Sequence, residues 1–281
     1  MANSLKHLVN DLRKTIESGE SSPSAKDMKM FLAEIEEAVG SLFRRDSRKG
    51  DGGKLRFSSL GRKNRQLWYQ SNRTRSSENE TLPYDTKLKF TYGHIIESLL
   101  LLIVKTAGNY KVTDTQKEYI IDSVKGHIDA KINGHVVDCK SASSYGFRKF
   151  KKGDLSDDPF GYMQQIGAYM EADGEKDEGG FLVLNKESGE ICYMSVHSLE
   201  LPSAQERITE VKEIIKQEEP PEKCYTTSRT KQGREYLKTG CVYCDFKEEC
   251  WENTNQGFGL VVETGTDGRT RYFTNTLGPP L

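Results

Sequence analysis

Apolar positions recur every three or four residues through SLKHLVNDLRKTIES and DMKMFLAEIEEAVGSLF, so the spacing predicts two packing helices before residue 44, joined by the turn-forming SSPSAKD. Three later stretches carry the same helical period: TYGHIIESLLLLIVKTAG, DPFGYMQQIGAYMEA and SAQERITEVKEIIKQEE. The second begins at Asp157 or Asp158 ahead of Pro159, and the third stops at Pro220 and Pro221. Alternating or continuous apolar runs mark strands in GHIDAKINGHVVDCKS, GGFLVLNK and EICYMSVH, the last two joined by a turn at Glu187 to Gly189. YGFRKFKKGD reads as a basic loop, and the Asp267-Gly268 pair predicts a late hairpin. Helices interleaved with strands make the fold class mixed α/β.

One hairpin departs from its own pattern. In GHIDAKINGHVVDCKS the Asn133-Gly134 pair signals a two-residue type I′ turn, which sets Ile132 opposite His135. Counting outward then places Asp129 across from Asp138, with Lys140 on the face of Asp138 and His127 opposite Lys140. Val137, Cys139 and Ser141 point the other way. Two carboxylates at cross-strand spacing repel unless one is protonated or a cation lies between them. A divalent ion is the economical solution. Hard oxygen donors suit Mg or Mn, with the Cys139 backbone carbonyl as one more donor. Lys140 beside that ion would position or activate a water, or neutralise charge developing on a phosphate. The alternative is a solvent-facing hairpin with a chance charge pattern.

Composition narrows the picture without naming a partner. The 281 residues carry 41 basic and 42 acidic side chains, a formal net charge of -1, so any electrostatic partner must be read from local distribution. From Leu42 to Arg75 eleven Lys or Arg stand against two Asp, with Phe43, Phe57, Trp68 and Tyr69 interleaved. Basic residues among aromatics suit nucleic acid, where phosphates pair and bases stack; a solvated charged face is the plain alternative. Arg62, Lys63, Arg65 and Trp68 are the candidates there, and Tyr145, Arg148, Lys149 and Lys151 in the basic loop. The longest apolar run, Leu99 to Val104, is far too short to span a bilayer, and the polar amphipathic N-terminus is unlike a signal peptide. The expectation is a soluble cytoplasmic protein with no membrane partner.

The hairpin is one of four motifs, and together they resemble the RecB-like branch of the PD-(D/E)XK nuclease superfamily: Gly93-His94, Gly126-His127-Ile128-Asp129, Asp138-Cys139-Lys140 and Gln165-Ile166-Gly167-Ala168-Tyr169. The resemblance implies a restriction-endonuclease-like core, a central mixed sheet flanked by helices. It implies that His94, Asp129 and Asp138 bind the catalytic metal with the Cys139 carbonyl, and that Lys140 is the catalytic lysine. Gln165 and Tyr169, four apart on one helix face, would orient the DNA strand or its scissile phosphate. Glu97, one turn from His94, is a further metal ligand or supports one.

Cys224, Cys241, Cys244 and Cys250 form C-x16-C-x2-C-x5-C, a spacing that suits a metal site better than disulfides. The last three resemble the C-terminal triad of RecB-like nucleases that carry a 4Fe-4S cluster. In many of those the fourth cysteine lies upstream of the core. Here SSLGRKNRQLWY holds none, which leaves Cys224 as the fourth ligand and keeps iron-sulfur, structural zinc and free thiols all open. Cys139 and Cys192 sit in apolar strand patterns and read as small buried residues.

The expected organisation is an N-terminal helical segment and basic linker over 1–54, a nuclease core over 55–204, a helix with the cysteine cluster over 205–256, and a tail over 257–281. The expected activity is metal-dependent exonucleolytic hydrolysis of DNA, on single strands or duplex ends, in recombination, replication or repair. A structure- or sequence-specific endonuclease and a non-catalytic cysteine-organised binding module are the alternatives. No G-x-x-x-x-G-K-[ST] helicase signature is present, so the chain would act alone or with a separate helicase or recombination partner. Free-standing nucleases of this size are common in phage genomes, which would place this one in the host cytoplasm.

Overall fold

The computed structural model describes residues 5–44, 54–72, 83–156, 158, 160–174 and 177–275. Asp157 and Pro159, and much of the basic stretch between Leu42 and Arg75, lie outside them. In chain order the helices are α1 (Leu8–Ser18), α2 (Ala25–Phe43), α3 (Asn64–Asn72) and α4 (Tyr84–Thr106). The strands β1 (Val112–Thr113), β2 (Glu118–Ile121), β3 (Val124–His127), β4 (Ala130–Ile132) and β5 (His135–Ala142) follow. Then come α5 (Ser144–Lys152), α6 (Tyr162–Asp173), β6 (Glu178–Asn185), β7 (Ile191–His197) and α7 (Ala204–Ile215). The chain closes with β8 (Ser228–Arg229), β9 (Glu235–Tyr236), the short α8 (Thr239–Val242) and α9 (Lys247–Cys250), β10 (Val261–Thr264) and β11 (Thr270–Phe273).

Contacts group these elements into two units, one of residues up to Gly61 and Thr74–Thr209, the other of Arg62–Arg73 and Glu210 onward. The first is built on a mixed sheet of order β1-β4-β5-β6-β7, in which only β5 and β6 run parallel. Two cores cover its faces. Leu5, Leu8 and Leu12 with Ile96, Leu100 and Val104 bury Ile132, Val137, Cys139 and Leu182 on one side. Phe147 and Phe150 of α5 and Ile166, Ala168 and Tyr169 of α6 meet Val136, Phe181 and Val183 on the other. The second unit is small. Its sheet has the order β10-β11-β9-β8, and its buried cluster is Leu237, Cys241 and Trp251.

The predicted turn forms. Asn133 and Gly134 both take positive φ, 51° and 92°, and Ile132 pairs with His135. The strand before it is shorter than the sequence suggests, because the ladder stops at Ala130 opposite Val137. Ile128 and Asp129 bend away, and His127 belongs to β3, paired with Glu118 of β2 in a separate two-stranded ribbon. His127 therefore does not face Lys140; its imidazole lies 3.6 Å from the Glu118 carboxylate. The β2 and β3 strands escaped the sequence reading because Asp122 and Ser123, with φ of 46° and 69°, make their turn without a glycine. The stretch read as a basic loop is instead α5. Ser143 caps it by accepting from the Gly146 N–H, Gly153 ends it at φ 72°, and Phe147 and Phe150 supply an apolar side at i, i+3.

Local chemistry fixes the neighbouring ends. The Glu171 carboxylate accepts from the N–H groups of Ala204 and Gln205, capping α7 at 2.6 and 3.1 Å. Gly61 and Gly161 touch backbone to backbone: a Cβ on Gly61 would lie 2.3 Å from the Gly161 Cα. Gly161, at φ 74°, is the residue from which α6 starts. Among the described residues no helix is long and apolar enough to cross a membrane.

Candidate active site and cysteine pocket

Period-two geometry places the Asp138 and Lys140 side chains of β5 on the α6 side of the sheet. Lys140 Nζ lies 2.6 Å from Asp138 Oδ2; the Asp138 side chain is buried, at 3% exposure, and that of Lys140 partly buried, at 19%. The ion pair leaves Asp138 Oδ2 without an aligned hydrogen-bond donor. Lys140 reaches on to Gln165 Oε1 at 3.4 Å, Gln165 Nε2 donates to the Tyr169 hydroxyl at 3.3 Å, and the Tyr162 ring lies 5.0 Å from Lys140 Nζ. Gln165 and Tyr169 share a face of α6, so one strand and one helix bring together four of the residues that the sequence singled out.

Asp129 joins them from the bend before β4. Its Oδ2 accepts from the backbone N–H of Cys139 at 2.6 Å, which keeps the carboxylate at the open end of the β4–β5 ladder. Burial first, then Asp138 and Glu97, push the Asp129 carboxyl well above its ordinary range. Burial also raises Asp138, although Lys140 pulls against it. Lys140 is held above its usual value because Asp138 and Asp129 outweigh its own desolvation. Tyr162 is pushed up to about 12, chiefly by burial. The Cys139 thiol is raised well above its normal value by burial and by Asp129, as suits a packed side chain whose backbone serves the site.

Glu97 stands closer to this centre than His94 does. Its carboxylate acts on Asp129, Asp138 and Cys139 and is held by Gln116 Nε2 at 2.6 Å. His94 stays 65% exposed, its Nδ1 3.8 Å from Glu97 Oε2, and that carboxylate raises its basicity. Sequence reasoning missed Gln116 and Tyr162. Nothing in the spacing marks Gln116, whereas Tyr162 lies three residues before Gln165 on the same helix and could have been found.

The second unit gathers Cys224, Cys241, Cys244 and Cys250 around one cavity of about 20 Å³, with Arg65, Tyr69, Phe246 and Trp251 among its walls. Arg65 Nε donates to Cys250 Sγ at 3.1 Å, Nη1 to the carbonyls of Pro220 and Pro221, and Nη2 to the Tyr69 hydroxyl. Burial and the neighbouring cysteines raise Cys224, and raise Cys241 to about 11. Arg65 is thereby engaged within its own unit, and Trp68 donates its indole N–H to Gln217 O at 2.8 Å. Arg62 reaches Gln70, and Lys63 is exposed. On α5, Lys149 and Arg148 stand over the exposed Tyr145 ring at 4.8 and 6.0 Å, while Lys151 pairs with Glu190 at 2.7 Å. Among the described residues no three His, Cys, Asp or Glu side chains already stand grouped to hold an ion.

The donor sets nevertheless fit metals in chemistry. Asp129 and Asp138, buried and acting on each other with Glu97 nearby and only Lys140 to offset them, are a set of hard oxygen donors that suits a divalent cation. Four thiols lining one cavity are a donor set whose chemistry suits a soft metal such as zinc, although the side chains would have to draw together to hold it.

No family model matches the chain, and no curated protein sequence matches it. Among solved structures, SSO0001 is 16% identical with a TM-score of 0.43, the match covering 78% of this chain and 93% of that one. The alkaline exonuclease LHK-Exo from Laribacter hongkongensis is 13% identical with a TM-score of 0.37, over 60% of this chain and 87% of that one. Its complex with dAMP gives the same identity and score over 58% and 85%. Likeness at this level carries no argument about the site, whose reading rests on the geometry above.

Proposed function

We propose that this chain is a metal-dependent nuclease of the PD-(D/E)XK type that hydrolyses phosphodiester bonds in DNA, acting as an exonuclease. The observation that carries the reading is the assembly of Asp129 and Asp138 about Lys140, with Glu97 acting on both carboxyls and Lys140 leading through Gln165 to Tyr169. Carboxylates raised by burial and by one another are short of positive charge, and one lysine does not balance three acids.

Asp129 and Asp138, with the Cys139 carbonyl and Glu97 or His94, would hold Mg or Mn. When bound, the cation supplies Lewis-acid stabilisation of charge on the scissile phosphate. Lys140, positively charged and fixed by Asp138, orients the attacking water by hydrogen bonding or neutralises charge on a phosphate oxygen. Gln165 holds the Lys140 ammonium from the helix side, and Tyr169 fixes the Gln165 amide. Tyr145, Arg148 and Lys149 on α5, which begins four residues after Lys140, provide stacking and charge for the strand. Cys224, Cys241, Cys244 and Cys250 would hold a structural metal that organises the second unit.

The test is digestion of end-labelled single- and double-stranded DNA with Mg or Mn, beside a covalently closed single-stranded circle. Cleavage of linear DNA that Asp138→Ala and Lys140→Ala abolish, with DNA binding kept and the circle intact, is the expected result. Cutting of the circle would convert the reading to an endonuclease, and cleavage surviving in both variants would overturn the site.

A further inference from the structure

Helices α2 and α4 pack antiparallel. Thr91 Oγ1 meets Ala38 O at 3.5 Å, and Lys87 Nζ donates to Arg44 O at 3.2 Å, so residue numbers run in opposite directions along the pair. Ala38 and Thr91 are buried where the two helices meet. One residue further on in each helix, a stripe of apolar side chains is left open: Met28, Leu32, Val39 and Phe43 on α2, and Leu88, Tyr92 and Leu99 on α4. Phe43 is 84% exposed, Leu32 57% and Leu88 51%. A step of one residue turns about 100° around a helix, and in two antiparallel helices that step leads from the shared seam to the same side of the pair. The two stripes therefore form one continuous face. At about 100° per residue, Glu97 lies roughly 160° and His94 roughly 140° around α4 from that stripe, so the catalytic side of the helix is not part of it.

The α2 stripe has a property that selects its occupant. Its spacing, four, seven and four residues between Met28, Leu32, Val39 and Phe43, reads the same in both directions. A patch with that symmetry matches itself when turned about a two-fold axis perpendicular to the helix, setting Leu32 against Val39 and Met28 against Phe43 of another copy. From Met28 to Phe43 the face is roughly 23 Å long and about 20 Å across the two helices. Two copies would then bury on the order of 1,000 Å², the lower bound for a specific interface and the size of a weak, concentration-dependent dimer.

We propose that this face joins two copies of the chain into an antiparallel dimer, an interhelical layer of four helices, with both catalytic centres outside the interface. The proposal is independent of the nuclease reading. Glu36 falls beside the two-fold axis and meets its own counterpart, so the alignment makes a second prediction: a like-charge pair at the centre weakens the dimer.

Sedimentation velocity on the full chain, from about 1 to 100 μM, tests both parts. The expected result is a concentration-dependent species of twice the chain mass, lost in Leu32→Glu and in Val39→Glu while helix content by circular dichroism is kept. Met30→Glu, outside the stripe, leaves the dimer intact, and Glu36→Gln tightens it by about two- to threefold. A wild-type chain that stays monomeric to about 100 μM overturns the proposal, including the case in which another part of the chain covers the face. A dimer that survives Leu32→Glu and Val39→Glu overturns it as well. A Glu36→Gln dimer no tighter than wild type overturns the antiparallel alignment.

Discussion

The acid-and-lysine centre and the cysteine pocket meet the same electrostatic difficulty with different support. Each collects groups that repel one another when ionised, and each sets a cationic side chain among them: Lys140 2.6 Å from Asp138, Arg65 3.1 Å from Cys250. Around the first lies a sheet with a buried core on each face. Around the second lie two helices of four residues and a buried cluster of Leu237, Cys241 and Trp251. Helices that short have no stability of their own. The oxygens are held by the fold, whereas the sulfurs must help to hold theirs.

The sharpest way to break this contrast is to remove metal. On the proposed reading, in which the four cysteines hold a structural metal, chelation should destabilise the second unit by on the order of 5 kcal/mol or more, since metal binding would be folding free energy. Amide exchange should accelerate through residues 224–251 and stay slow in β5 and β6; equal acceleration in both would refute the difference. Next in size, Asp138→Asn and Lys140→Met should each lower cleavage by about 10²- to 10³-fold. Lys140→Met should also cost about 3–5 kcal/mol of stability, because it leaves a buried carboxylate without its partner. Arg65→Gln should cost about 1–3 kcal/mol, read as a lower melting temperature of the second unit and faster metal loss to a chelator, with cleavage chemistry unchanged.

A smaller effect tests the first unit through pH. Burial pushes the Asp173 carboxyl up, but hydrogen bonds from Lys131 and Tyr119 outweigh it and hold the group below its ordinary value. A carboxyl lowered by folding contributes stability above its unfolded value, near pH 4, and loses it as the pH falls through its folded value. Wild type should therefore exceed Asp173→Asn at pH 7, with the gap closing in acid; a pH-independent gap would refute the assignment. Smallest of all, Ser143→Ala should cost about 1 kcal/mol by uncapping α5.

Much of the first site was legible because it is local. The Asn133-Gly134 turn fixes its own backbone, and period two then carries Asp138 and Lys140 to one face without further information. The helices α1, α2 and α6 follow from apolar spacing in the same way. Where the reading and the structure differ, the cause was a turn without glycine, a helix signal masked by charge, or a contact distant in sequence. The Asp122-Ser123 turn hid a ribbon and misplaced His127. In α5 the signals were present, a Ser cap and a closing Gly, but seven residues of charge and aromatics around them read as loop. The link of Arg65 to the cysteine pocket was invisible because only the folded chain shows that Cys250, 185 positions away, takes its N–H.

The contact between Gly61 and Gly161 limits how this sequence can change. Most steric conflicts in a protein can be escaped in two moves, a larger residue here and a smaller one there. At this contact the second move does not exist, because both partners are already the smallest residue and each meets backbone rather than a side chain. The pair is a dead end for compensation: neither position can vary first, and neither can rescue the other. A library covering both sites should return glycine at each independently, with no permitted double substitution, while the turn glycines at 19 and 108, where an added Cβ meets nothing within 4 Å, tolerate at least asparagine.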